Sequence, residues 1–85
     1  MGKVTPIVET IIGERAWRYT GSSGRFIISP ATEQYTLNYS ADGATWTAWG
    51  EATQVGDPCV VTEAVTGMFF KCVGLDSTTK VTVTF

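Results

Sequence analysis

The sequence predicts an all-β domain, a small antiparallel β-sandwich or barrel of about seven to nine short strands. Two stretches and the punctuation between them carry that expectation. Gln34 to Trp49, QYTLNYSADGATWTAW, reads as a complete hairpin. Tyr35, Leu37 and Tyr39 alternate with Thr36 and Asn38, Ser40 to Ala44 supplies an Asp-Gly reversal, and Thr45 to Trp49 returns as the partner strand. Lys80 to Phe85, KVTVTF, alternates as cleanly, with Val81, Val83 and Phe85 expected to face the core. Between the apolar runs, clusters of Gly, Pro, Asp and Ser recur at short intervals, and no stretch sustains a helical period.

Lys3 to Ile12, KVTPIVETII, is β-branched and free of glycine, which favours extended backbone. Pro6 cannot donate to a ladder, so this segment belongs at a sheet edge or outside the sheet. It divides the chain into residues 1–12, an extended arm crossing a neighbour or an ordinary edge strand, and residues 13–85, a single all-β domain. Ala16–Thr20 and Arg25–Ser29 flank Gly21-Ser22-Ser23-Gly24 and suggest a second hairpin, with Trp17 and Tyr19 sharing one face. Phe26 and Ile28 are in phase while Ile27 points the other way, a strand covered on both sides. Ser29 to Glu33 is a connector around Pro30, and Gly56-Asp57-Pro58 marks another turn.

Cys59–Thr62 and Met68–Val73 are apolar enough for central strands joined across Glu63 to Gly67. A hairpin symmetric about Val65 and Thr66 sets Cys59 opposite Cys72, and the pair is either two free, small hydrophobes or a strained bridge. Gly74 to Thr79 is the last turn. The chain is expected to end anchored in its final strand, leaving the N-terminal arm the freer end.

Composition narrows the function. Charged residues make up 16% of the chain, against about 25% in typical domains, so polar cover is thin and part of the apolar surface is expected to be an interface. Val4, Ile7, Val8, Ile11 and Ile12 on the first segment, with Trp17, Tyr19, Met68 and Phe69, are the candidate partner-binding residues. The six basic residues are scattered and the net charge is −2, with Arg15, Arg18 and Arg25 the nearest approach to a cluster, so no nucleic-acid partner is expected. No apolar run approaches the ~20 residues of a membrane span, and Met1-Gly2-Lys3 leads into no signal-peptide core, so a soluble protein made in a cytoplasm is expected.

Histidine is absent and there are two cysteines, which removes the usual zinc-ligand sets, and no metal or other cofactor is expected. Asp42, Asp57 and Asp76 sit in turns where aspartate has a conformational task, and no catalytic residue is assigned. The expectation is a protein that is not an enzyme.

Ser40-Ala41-Asp42-Gly43-Ala44-Thr45-Trp46 resembles the Asp-box turn of sialidases and related β-propellers, and equally the Tyr-Ser-x-Asp-Gly-x-x-Trp stretch of discoidin-like carbohydrate-binding domains. It lacks the residue that the Asp-box carries between its Asp and Gly. In both families the turn is mainly structural, so the likeness carries a hairpin and no catalytic residue. The Thr/Val-rich strands, the short turns and the apolar beginning KVTPIVETII resemble, more broadly, the small β-rich virion proteins of tailed bacteriophages: capsid decoration proteins, head-fibre bases and tail-associated modules. That likeness implies a homo-oligomer, a trimer favoured, that assembles in the host cytoplasm and binds other virion proteins of a shell or fibre through β surfaces and an N-terminal arm. The rival expectation is a carbohydrate-binding or adhesion module in which Trp49 stacks on a sugar ring while Asp42 or Asn38 supplies hydrogen bonds.

Overall fold

Eight short strands form in the computed structural model, which describes residues 7–85. They are β1 (Val8–Ile12), β2 (Trp17–Arg18), β3 (Phe26–Ile28), β4 (Thr36–Ser40), β5 (Thr47–Ala48), β6 (Cys59–Val61), β7 (Phe69–Val73) and β8 (Lys80–Thr84). Sheet A has the order β1-β8-β3-β6 and sheet B the order β2-β7-β4-β5, with every neighbouring pair antiparallel. These are the strand orders of a jelly roll, two Greek keys folded as a sandwich. The sandwich, rather than the barrel, is therefore the form this all-β chain takes. Among the described residues no helix is long and apolar enough to cross a membrane.

The two sheets close over one core. Sheet A contributes Ile11, Phe26, Ile28, Val61, Val81 and Val83, and sheet B contributes Trp17, Leu37, Phe70 and Cys72. Phe26 and Phe70 meet across the middle edge to face, centroids 4.8 Å apart, and Trp17 packs on both. Tyr19, just beyond β2, fills the space between Phe26 and Phe85. Burying each such ring contributes about 1.5–3 kcal/mol, which is how a chain of this size forms a stable interior.

The central hairpin forms as its sequence implies. β4 pairs with β5, Asn38 opposite Ala48 and Tyr39 opposite Thr47, and the turn is held by side chains. Asp42 Oδ1 accepts the N–H groups of Ala44 at 2.8 Å and Thr45 at 2.9 Å and the Ser40 hydroxyl at 2.8 Å. Ser40 Oγ in turn accepts from the N–H of Gly43 at 2.9 Å. Gly43 takes φ 79°, a left-handed backbone that glycine adopts without strain.

The other two expected hairpins do not form. β2 pairs with β7 in sheet B, while β3 lies between β8 and β6 in sheet A, so Gly21 to Gly24 carries the chain across the sandwich. The reason is local: the Tyr19 hydroxyl accepts the Gly24 N–H at 2.9 Å, and a Cβ on Gly21 would lie 2.7 Å from that hydroxyl. The loop thus folds over a buried tyrosine instead of joining two strands of one sheet. Likewise β6 and β7 lie in different sheets. Cys59 pairs with Ile28 and Cys72 with Leu37, both thiols are free, and β6 is an edge strand where a central one was expected.

Val8–Ile12 lies antiparallel along β8 in continuous register. Of the two roles open to the first segment, these residues take the edge strand. Val4 and Pro6 lie outside the described residues.

Candidate functional site

The outer face of sheet A carries four of the seven exposed large hydrophobic side chains among the described residues, Val8, Ile12, Ile27 and Val60. Strand alternation sends Ile11, Phe26, Ile28, Val61, Val81 and Val83 inward, so their neighbours along each strand face out. Those neighbours fall into rows across the sheet. Val8 lies opposite Thr84, Thr84 opposite Ile27, and Ile27 opposite Val60. In this row Val8 is 60% exposed, Ile27 46% and Val60 51%, so three β-branched aliphatic side chains stand in water with a threonine methyl between them. The adjoining row sets Thr10 opposite Thr82, tied to Ser29 by the bond from Ser29 N–H to the Thr82 carbonyl and the return bond from Thr82 N–H to Ser29 Oγ, both 2.8 Å. A third sets Ile12, 43% exposed, opposite Lys80. Among the strand residues of sheet A, Lys80 supplies this face's charge.

The outer face of sheet B has a different chemistry. Lys71 Nζ sits 4.4 Å from the centre of the Trp46 ring and the Arg18 guanidinium 5.7 Å from that of Phe69, contacts worth about 0.5–1 kcal/mol each at an exposed site. Asn38, in the row between Lys71 and Ala48, has a buried Oδ1 without a hydrogen-bond partner.

On the flank where β1 and β2 run along the two sheet edges lies a cleft of about 450 Å³, bounded by Ile11 and Trp17 at its base and by Glu9, Thr10, Arg15 and Arg18. The Trp17 indole N–H is buried without an acceptor.

The candidate residues read from the sequence divide accordingly. Val8 and Ile12 stand on the outer face of sheet A, and Ile7, also exposed, bonds to Phe85 through the backbone at its border. Ile11, Trp17 and Tyr19 are core residues at 3%, 5% and 0% exposure, so none of them is a contact surface in this fold. Met68 and Phe69 are half-buried at the Arg18 side of sheet B, where the Met68 carbonyl accepts the Tyr19 N–H. They are separate from the sheet A residues.

The three residues of the sugar-binding reading do not converge. Trp49 packs edge to face on Phe70 and Tyr39 at the core border, so its ring is no open platform. The face-out tryptophan is Trp46, and Lys71 already covers it. Asp42 spends its carboxylate on the turn, and those hydrogen bonds hold its pKa down at about 2, well below the usual value. Asp76 is lowered in the same way by the hydroxyl and N–H of Thr78. Among the described residues no three Asp, Glu or Cys side chains gather as metal ligands.

Burial and not activation governs the thiols. Desolvation pushes Cys72 up to about 12 and also raises Cys59; Tyr35, whose buried hydroxyl has no partner, is raised chiefly by the same cause. A thiol in that condition is a packing group and not a nucleophile.

Ile27 and Val60 are the face residues that sequence reasoning missed as contacts. The signal for Ile27 was its phase, opposite to Phe26 and Ile28. Val60 stands between Cys59 and Val61 in an unbroken apolar run, where period alone cannot separate inside from outside. Compared with known proteins, the sequence matches no family model, and no curated protein or solved structure matches it.

Proposed function

We propose that this chain is a non-enzymatic structural protein that assembles through the outer face of sheet A, as a decoration or fibre-attachment component of a bacteriophage particle. The observation that carries the assembly reading is the row Val8, Thr84, Ile27 and Val60: cross-strand register lines up apolar side chains that a solitary domain has no reason to expose together. The particle assignment rests on the resemblance of KVTPIVETII, the threonine-rich strands and the short turns to small virion proteins. The jelly roll adds an analogy, since viral capsid domains use it, although lectins do too.

Magnitudes favour a repeated site over a solitary tight one. Two strands about 17 Å long and two about 10 Å long, spaced about 4.8 Å apart, present a face of roughly 250 Å². A standard interface buries about 800 Å² per partner. One such face binds weakly alone, and a lattice of copies multiplies weak contacts into stable attachment.

Two measurements test this. Light scattering across a concentration series is expected to show a species larger than the monomer, and Ile27→Lys with Val60→Lys is expected to abolish attachment to particles while leaving thermal unfolding within about 4–8 °C of the parent, the shift of a ~1 kcal/mol change. Particles banded on a density gradient from the source lysate are expected to contain the chain's peptides in many copies. A monomer at every concentration, with no chain in any banded particle, refutes the proposal.

A further inference from the structure

We infer that β1 pairs with β1 of a second copy, antiparallel and two-fold symmetric about Thr10, joining two copies of sheet A into one eight-stranded sheet. The inference rests on the assembly reading above and specifies its first contact.

The backbone identifies the site. Ile7 exchanges both hydrogen bonds with Phe85, at 2.7 and 2.9 Å, and Gly13 donates to the Thr79 carbonyl at 2.7 Å. In an antiparallel ladder, bonded pairs alternate with unbonded ones. With this register Glu9 and Ile11 therefore also bond towards β8, while Val8, Thr10 and Ile12 aim their N–H and C=O groups outward, away from the sheet. The Ile12 carbonyl accepts the Arg15 N–H at 3.3 Å. The N–H and C=O of Val8 and Thr10, and the Ile12 N–H, remain for a partner.

Edge strands usually carry a defence against such pairing: shortness, proline, lysine, a bulge or an inward-pointing charge. The other edges here are short, β2 and β5 with two residues and β6 with three. β1 has five residues in unbroken register, with no proline or lysine among them. It is the one long edge among the described strands, and its single charge, Glu9, is the one defence it carries.

Its sequence is self-complementary in one register. With Thr10 at the centre, Thr10 exchanges both bonds with Thr10 of the second copy, and on either side an Ile12 N–H meets a Val8 carbonyl. Side chains agree with the backbone. Val8 lands beside Ile12 of the second copy on the outer face, the two now 60% and 43% exposed, and Glu9 lands beside Ile11 on the inner side, towards the cleft that Arg15 also lines. Centring the pair on Glu9 instead sets two carboxylates directly opposite, which is destabilising. Centring it on Ile11 runs Thr10 against Ile12 and drives the turn at Gly13 into the ladder. The two-fold axis stands normal to the sheet, so both outer faces look the same way and the joined face grows from about 250 to about 500 Å².

Sedimentation velocity of the full chain over a range of concentrations tests the pairing. The parent chain is expected to dimerise reversibly. Thr10→Pro removes an N–H that points out of the molecule, so the monomer loses no ladder bond, and dimerisation is expected to weaken about tenfold or more, the effect of a ~1.4 kcal/mol loss. Val8→Lys, at a side chain 60% exposed, is expected to weaken it as well, and it decides the matter if Thr10→Pro fails to fold. Ile27→Lys lies on the same face away from the edge and is expected to leave the dimer intact. An oligomer that survives both edge substitutions, or a trimer as the smallest assembled species, overturns the two-fold pairing and leaves the assembly reading standing. A chain that stays monomeric overturns the pairing, and it overturns the assembly reading as well only when banded particles also lack the chain.

Discussion

Phe69 and Phe70 are adjacent in the chain and lie on opposite faces of sheet B, which makes them a stringent test of the register. Phe70 is fully buried, with Phe26 at 4.8 Å, Trp49 at 5.8 Å and Trp17 at 6.0 Å between ring centroids. Replacing it with alanine leaves a ring-sized cavity bordered by three aromatic residues that cannot all move in, at a cost of about 4 kcal/mol. Phe69 is half-buried on the outer face with the Arg18 guanidinium above it, and Phe69→Ala forfeits partial burial and one cation–π contact, about 1 kcal/mol. A domain of this length has a total stability of about 4–13 kcal/mol, so Phe70→Ala consumes a third or more of it. In urea, with a slope of about 1 kcal/mol per molar for so small a chain, the midpoint falls by about 4 M for Phe70→Ala and about 1 M for Phe69→Ala. Tryptophan fluorescence reports the transition, since Trp17 and Trp49 adjoin Phe70. Equal losses in the two variants refute the reasoning, because a shift of one residue in the β7 register exchanges inside for outside along the whole strand.

Two further outcomes follow from the ionisable groups. The Asp42 carboxylate, held at about 2 by its turn hydrogen bonds, has a folded-state value below its unfolded one, near 3.9. Its contribution is complete above about pH 4 and is lost as the pH falls towards 2. Carbon-13 chemical shifts of the carboxyl group should titrate near pH 2, and Asp42→Asn should flatten the acid limb of the stability curve; a titration near pH 4 rejects the turn as drawn. Cys72 is fully buried, with its pKa raised to about 12, so the native protein should leave it unmodified by a disulfide reagent at neutral pH, with Cys59 slow. Both should react once urea unfolds the chain, and prompt native labelling of both contradicts the packing.

The sequence exposed the parts of this fold that depend on neighbours in the chain. KVTVTF became the central strand β8 with Val81 and Val83 buried, and the Ser40 to Thr45 turn formed from its own side chains. Period-2 alternation also separated Phe26 and Ile28 from Ile27. What alternation cannot encode is the sheet to which a strand belongs. Trp17 to Tyr19 and Phe26 to Ile28 look like two arms of a hairpin, yet Gly21 to Gly24 is long enough to bridge from one sheet to the other, and packing against Tyr19 decides that it does. The same ambiguity put Cys59 opposite Cys72 on paper and left them in different sheets in space. It also gave Trp17 and Tyr19 the look of a contact surface, since an aromatic pair on one face of a strand serves a core and an interface equally well. Of the proposed site, Val8 and Ile12 were legible as exposed apolar residues near the N-terminus. Ile27 and Val60 joined them only when register laid four strands side by side.

The strand order also dictates when the molecule can come into being. β8 lies between β1 and β3, so the middle of sheet A is supplied by residues 80–84 while its flanks come from the first third of the chain. Only β4 and β5 can pair with a near neighbour, and every other pairing waits for a distant segment, the condition that makes folding slow. On a ribosome, sheet A stays split until Lys80–Thr84 has cleared the exit tunnel. A polypeptide cut before Lys80 has no way to close the gap, and it leaves β1 and β3 with unpaired edges that invite aggregation.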